Sequence, residues 1–195
     1  MSNTSNQTNF LNSYPASTAI VPEIIEKLII DLKKYEYIQN EIDEIVLSFD
    51  EAVTNAVQST IEINHNNRSA YKAAGARNIT VRYTITQESF EATIIDHGTG
   101  LDIFNILNST PQSGSNNYIN QIISYASESE KTKIKVRLNG REIPLRGIGA
   151  GLKIILNFMD AVTIDLIDKQ HIIAQSVTEH TDGTIFNMKR TRKYF

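Results

Sequence analysis

The chain of 195 residues contains no cysteine. That absence excludes a disulfide framework, a thiolate zinc site, an iron–sulfur cluster and a cysteine nucleophile. No apolar run approaches the roughly 18 residues that a membrane-spanning helix needs. The chain start lacks both a basic segment and an apolar stretch, so no secretory signal is visible. An excess of positive charge is also missing: Lys and Arg number 19 against 22 Asp and Glu, a balance of 19 − 22 = −3. A protein that binds nucleic acid by bulk charge normally shows a basic face, so direct nucleic-acid binding is not expected. Internal repeats are absent. What remains is a soluble, cytoplasmic protein with no membrane as partner. Hydrophobic residues make up 41% and charged residues 21%, enough apolar material for a proper core. The length fits one domain.

Residues 1–14 are crowded with Asn, Ser and Thr and read as a disordered leader, with a single domain over 15–195. From Ile20 to Tyr37 the apolar residues Ile24, Ile25, Leu28, Ile29 and Leu32 recur at helical spacing, with Pro22 suited to the first turn. A second helix is expected from Glu41 to Ser59, followed by a loop over 64–78. Strands Ile79–Thr86 and Phe90–Asp96, linked by Gln87–Ser89, predict a hairpin. Residues 101–147 are irregular, with a turn-rich stretch at Ser109–Asn117, a short helix at Tyr118–Ala126 and a hairpin around Asn139-Gly140. So long an irregular stretch inside a compact domain is usually a functional lid. A helix at Gly151–Met159 and strands Ala161–Ile167, His171–Val177 and Thr184–Lys189 follow. This order predicts an α+β (α/β) two-layer sandwich, its mixed and largely antiparallel sheet covered by helices on one face.

Three motifs carry chemistry. On the second helix Ile42, Ile45, Val46, Phe49, Val53, Ala56 and Val57 share one arc, while Glu44, Ser48, Glu51, Asn55 and Ser59 lie opposite. Glu51 and Asn55 are one turn apart, placed to share a magnesium ion or position a water; the alternative is a solvated helix face. The second strand ends in Asp96-His97-Gly98-Thr99-Gly100, where a carboxylate can accept from an exocyclic amine such as that of adenine. The plainer reading is a turn in which Asp96 caps its own backbone. Finally Arg146-Gly147-Ile148-Gly149-Ala150-Gly151-Leu152-Lys153 opens an apolar helix. Backbone N–H groups at such a helix start favour phosphates, and Arg146 and Lys153 add charge; a flexible hinge is the alternative. The run is not a Walker loop, because Leu152 stands where that loop needs Lys-Ser/Thr after glycine.

An E-x-x-x-N helix, a strand ending D-x-G-x-G and a later G-x-G-x-G-L before a helix, in that order, resemble the GHKL ATP-binding domain shared by gyrase, histidine kinases and MutL, with its Bergerat-type fold. Within it, Glu51-Ala52-Val53-Thr54-Asn55-Ala56-Val57-Gln58 and Leu156-Asn157-Phe158-Met159-Asp160-Ala161-Val162-Thr163-Ile164 look like segments of the anti-sigma-factor serine/threonine kinases. The resemblance implies ATP and Mg2+ as cofactors under a mobile lid. Asn55 then holds the magnesium, Asp96 reads the adenine amino group, Gly98 and Gly100 line the base, and Gly147, Gly149 and Gly151 face the phosphates. Glu51 is implied as the general base toward a serine hydroxyl. A sigma factor and an anti-anti-sigma (STAS-type) protein are the implied partners, and a homodimer the implied assembly.

The chain departs from that pattern in places. Ser59-Thr60 stands where those kinases often carry a histidine and a small residue, and 64–78 reads as an insertion. The basic tail Lys189-Arg190-Thr191-Arg192-Lys193 reads as a solubilising end. The expected function is an ATP-dependent protein serine/threonine kinase of anti-sigma type. The alternatives are a nucleotide-dependent regulatory module without transfer and a stand-alone histidine-kinase-like ATPase domain.

Overall fold

The computed structural model describes residues 7–66, 77–98, 135–138, 141–142, 150–170, 173–174 and 180–193. The chain opens with strand β1 (Thr8–Pro15), helix α1 (Ile20–Lys34) and helix α2 (Gln39–Asn66). Strands β2 (Asn78–Ile85), β3 (Ser89–Asp96), β4 (Lys135–Leu138) and β5 (Arg141–Glu142) come next. Helix α3 (Ala150–Phe158) precedes β6 (Ala161–Asp168), β7 (Ile173–Ala174) and β8 (Thr181–Thr191). The strands form one sheet in the order β1-β2-β3-β8-β6-β4-β5, with β7 beside β6. Of the described pairings only β4 with β6 is parallel, so the sheet is mixed and largely antiparallel, as expected.

Period-two alternation decides which side chains enter the core. Ile79, Val81, Tyr83 and Ile85 of β2 are buried, as are Phe90, Ala92 and Ile94 of β3 and Val162 and Ile164 of β6. Against them lie Ile24, Leu28 and Leu32 of α1, four residues apart, and the apolar arc of α2. Helix α3 adds Ile155 and Leu156, with Met159 just past its end. Phe49 of α2 meets the rings of Tyr83 and Phe90 edge-on with centroids 6.0 Å from each. Such pairs add about 0.5–1.5 kcal/mol each beyond area burial. Among the buried polar groups is Asp31. Asp31 of α1 is fully buried and accepts from Lys27, from Lys34 and from the Tyr83 hydroxyl at 2.7 Å. Burial pushes its carboxyl up, but those donors outweigh it and hold the group below the usual carboxylate value.

Four expectations change. Residues 8–14 are no disordered leader but belong to β1, paired along its length with β2. Polar composition concealed the alternation that turns Phe10 inward, where it stacks on Tyr83 at 4.6 Å. Helix α2 runs past Ser59 to Asn66, because Ile61 continues the apolar spacing and packs against the core. Strand β8 is longer than Thr184–Lys189 at both ends. Lastly, the basic tail is not simply a solubilising end. Arg190 is buried, donates to the Phe158 carbonyl and pairs with Glu44. Arg192 stacks over Tyr37 and donates to the carbonyls of Tyr35 and Glu36, while the Lys193 N–H reaches Glu41. The expected helix at Tyr118–Ala126, the lid over 101–134 and the turn Asn139-Gly140 lie outside the described residues; the strands flanking that turn, β4 and β5, pair antiparallel.

Candidate functional site

Helix α2 presents Glu51, Asn55 and Ser59 in one line, each a turn above the last. The Asn55 amide donates to Glu51 Oε1 at 3.0 Å. Only the nitrogen of a carboxamide can donate to a carboxylate, so this bond fixes the amide orientation and leaves Asn55 Oδ1 free as a ligand atom. The polar side of α2 is not uniformly solvated: Ser48 is buried and its hydroxyl donates to the Glu44 carbonyl at 2.9 Å. Helix α3 packs against α2, with Gly151 beside Glu51 on this side.

Asp96 ends β3 on the inward parity, so its carboxylate enters the space between sheet and helices rather than solvent. The Gly98 N–H donates to Asp96 Oδ1 at 2.8 Å, the local turn expected for an Asx cap. Thr184, its register partner on β8, also hydrogen-bonds it. Burial nevertheless dominates and pushes the carboxyl up to about 6, the hydrogen bonds from Gly98 and Thr184 and the nearby His97 only moderating the rise. A buried carboxylate raised in this way is a candidate functional group. Thr60, fully buried on α2, accepts the His97 N–H at 3.3 Å. Arg77 Nη1 donates to the His97 carbonyl at 3.0 Å and pairs with Asp182 at 2.7 Å.

Two glycines show how tightly the motifs meet. A Cβ at Gly98 would collide with the Ser59 hydroxyl and lie 3.0 Å from Asp96 Oδ1. One at Gly151, in the first turn of α3, would collide with the Glu51 carboxylate. The glutamate end of α2 therefore abuts the glycine corner, and the Ser59 end abuts the acidic turn. Glu51, Asn55, Asp96, Gly98 and Gly151 come together along one helix. Leu152 instead packs against the core, and Lys153 is half-buried on α3. Gly100, Arg146, Gly147 and Gly149 lie outside the described residues.

Sequence reasoning missed Thr184, Arg77 and Asp182, and noted Ser59 and Thr60 without giving them a role at the acidic turn. The inward parity of β8 opposite β3 was a usable signal for Thr184; nothing in the spacing points to Arg77. A groove of about 220 Å³ on the opposite sheet face, lined by Thr93, Thr163, Asn187 and their neighbours, is remote from these residues. Its polar groups satisfy one another, Thr93 donating to Asn187 and Asn187 to Thr163.

An acidic turn beside Ser59 and a glycine helix start beside Glu51 thus lie along one helix packed on a mixed, largely antiparallel sheet, in an α+β domain. The chain belongs to the histidine kinase-like ATPase domain family, whose model matches residues 15–174. Membership implies ATP binding and places the protein among ATP-utilising, kinase-like domains. No curated protein matches the sequence. A chain in the crystal structure of the SiaB–SiaC complex from Pseudomonas aeruginosa is similar, at 14% identity and a TM-score of 0.49, over 93% of this chain and 89% of that one. Among the described residues no helix is long and apolar enough to cross a membrane.

Asn55 Oδ1, exposed on α2 beside Glu51, is of the oxygen type that a hard cation such as Mg2+ would take as a ligand. The positions a Cβ would take at Gly98 and Gly151 are filled by Ser59 and Glu51, so these glycines let the two motifs pack closely on α2, and Asp96 has lone pairs beyond its bonds to Gly98 and Thr184. Among the described residues no group of three or more acidic or histidine side chains is placed to hold a metal. A test of this packing is Gly151→Ala. The added methyl is favourable within a helix, by about 1 kcal/mol, but must drive the Glu51 carboxylate aside. Thermal unfolding is expected to stay near wild type while any reaction that uses Glu51 is lost.

Proposed function

We propose that the protein is an ATP-dependent serine/threonine protein kinase of anti-sigma type. The observation that carries this reading is the meeting of Glu51, Asn55 and Gly151 at one end of an α2 face and Asp96 with Gly98 at the other. Asp96 accepts from the adenine amino group, and Asn55 Oδ1 is the protein ligand of magnesium. The start of α3, with the run from Arg146 to Gly151 and Lys153, receives the phosphates. Magnesium, when bound, neutralises phosphate oxygens; the larger share of such catalysis comes from positioning and charge.

Glu51 takes the proton of a serine hydroxyl on a partner protein as the serine oxygen bonds to the γ-phosphorus. The bond from that phosphorus to the β,γ-bridging oxygen breaks, and ADP leaves with the electron pair. The bond from Asn55 holds the Glu51 carboxylate in place for this role. The motif likeness to the anti-sigma kinases supports a STAS-type anti-anti-sigma protein as acceptor and a sigma factor as the second partner.

Incubation with labelled ATP, magnesium and a STAS-type acceptor tests the reading. Acid-stable label on an acceptor serine is the expected result; nucleotide binding without transfer, or acid-labile label, overturns it. Glu51→Gln is expected to leave the ATP affinity within about twofold of wild type and to lower transfer by about 10²–10⁴. Normal transfer by this variant would exclude Glu51 as the base.

A further inference from the structure

The peptide unit joining His97 to Gly98 is hydrogen-bonded at both ends. Its N–H, on Gly98, donates to Asp96 Oδ1 at 2.8 Å, and its carbonyl, on His97, accepts from Arg77 Nη1 at 3.0 Å. Because a peptide is planar, fixing the carbonyl fixes the direction of the N–H. Arg77 therefore sets which way the Gly98 donor points, and through it the position of the Asp96 carboxylate. Asp182 in turn holds Arg77 at 2.7 Å and has its other oxygen 3.5 Å from His97 Nδ1. Both members of the ion pair are largely shielded, with side-chain exposures of 18% and 14%.

The next residues of β8 meet the same turn. Gly183 has a φ of 149°, and a Cβ there would collide with the Asp96 carbonyl. Thr184 bonds the carboxylate itself. The segment Asp182–Thr184 thus supports the acidic turn at three successive residues, and Arg77 extends that support to the peptide plane beyond.

We propose that Arg77 and Asp182 are a positioning pair for base recognition: they orient the His97–Gly98 peptide so that Asp96 Oδ1 accepts from Gly98 and the carboxylate, which Thr184 also bonds, is held with a remaining lone pair toward the 6-amino group of a purine. This deepens the proposed nucleotide site and rests on it. Arg77 touches no ligand; it acts through Asp96. Its removal weakens recognition of the amino group specifically, whereas loss of a merely structural contact weakens all ligands of the site alike.

The experiment compares ADP with purine riboside 5′-diphosphate, which lacks the 6-amino group, by calorimetry on the full chain. Wild type is expected to prefer ADP by at least about tenfold, the worth of one hydrogen bond to a charged acceptor. Arg77→Met is expected to lower ADP affinity about tenfold and that of the deaminated analogue by less than about twofold, so that the preference collapses. Asp182→Asn, which keeps the shape but removes the charge that holds Arg77, is expected to lower the preference in the same direction and serves where Arg77→Met does not fold. An unchanged preference in the folded variant, or equal losses for both ligands, overturns the pair's role alone. A wild-type protein that binds neither ligand overturns the nucleotide site and the pair with it.

Discussion

Asp96→Asn is expected to abolish adenine-nucleotide binding at neutral pH and, in the same protein, to raise the stability of the nucleotide-free fold. Both effects come from one buried carboxylate. Desolvation pushes Asp96 up to about 6 in the folded state. An unfolded aspartate titrates near 3.9. The folded protein therefore binds this proton more tightly. The stabilising contribution is fully present below pH ~4 and is lost as pH rises through about 6, leaving a constant penalty above. A shift of about two units corresponds to roughly 3 kcal/mol as an upper bound.

Asparagine carries no charge to desolvate, and its oxygen still accepts the Gly98 N–H. The amide nitrogen then faces the adenine amine, donor against donor, in a site built to accept. Leaving such groups unpaired costs about 100-fold or more in affinity. Urea unfolding of the two proteins from pH 4 to 8 is expected to show curves that coincide at the acid end and separate by about 1–3 kcal/mol above pH 6. Calorimetry should show no ATP binding by the variant. A variant that binds ATP normally, or one less stable than wild type at pH 8, contradicts the assignment.

The second large effect is expected far from the nucleotide. Arg190→Met should cost about 3 kcal/mol, in the range for breaking a buried ion pair. Arg190 is 2% exposed and is shared between Glu44 on α2 and the Phe158 carbonyl at the end of α3. Methionine fills most of the volume but supplies no donor, so the carbonyl is orphaned and Glu44 loses its counter-charge. Glu44 is one-third exposed and can recover some hydration, which keeps the cost toward the lower end of that range. Denaturant unfolding at pH 7 checks this. A loss under about 0.5 kcal/mol, the level of an ordinary surface substitution, would show that the tail does not tie β8 to the helices.

Much of this architecture was legible in the sequence because burial on one face imposes a period. Ile24, Leu28 and Leu32 announced α1, and the alternation through Val81, Tyr83 and Ile85 announced β2. The three candidate motifs were legible for a related reason: each is local, so its residue types and spacing lie side by side in the chain. What escaped notice depends on distant pairings. Phe10 looked like part of a polar leader until Tyr83 supplied a ring to stack on. Arg190 and Arg192 looked like solvated charges until Glu44 and the Tyr35 and Glu36 carbonyls appeared beside them. Thr184 of β8 and Arg77, the residue just before β2, lie outside the Asp96 turn in sequence, and only the pairing of β2 and β8 with β3 brings them there.

The most direct measurement is a crystal structure of the full chain with magnesium and a non-hydrolysable ATP analogue. A single nucleotide is expected, its amino group on the Asp96 carboxylate, its metal on Asn55 Oδ1 and its phosphates at the start of α3. A nucleotide bound elsewhere, or one that leaves Asp96 and Asn55 untouched, would contradict the account.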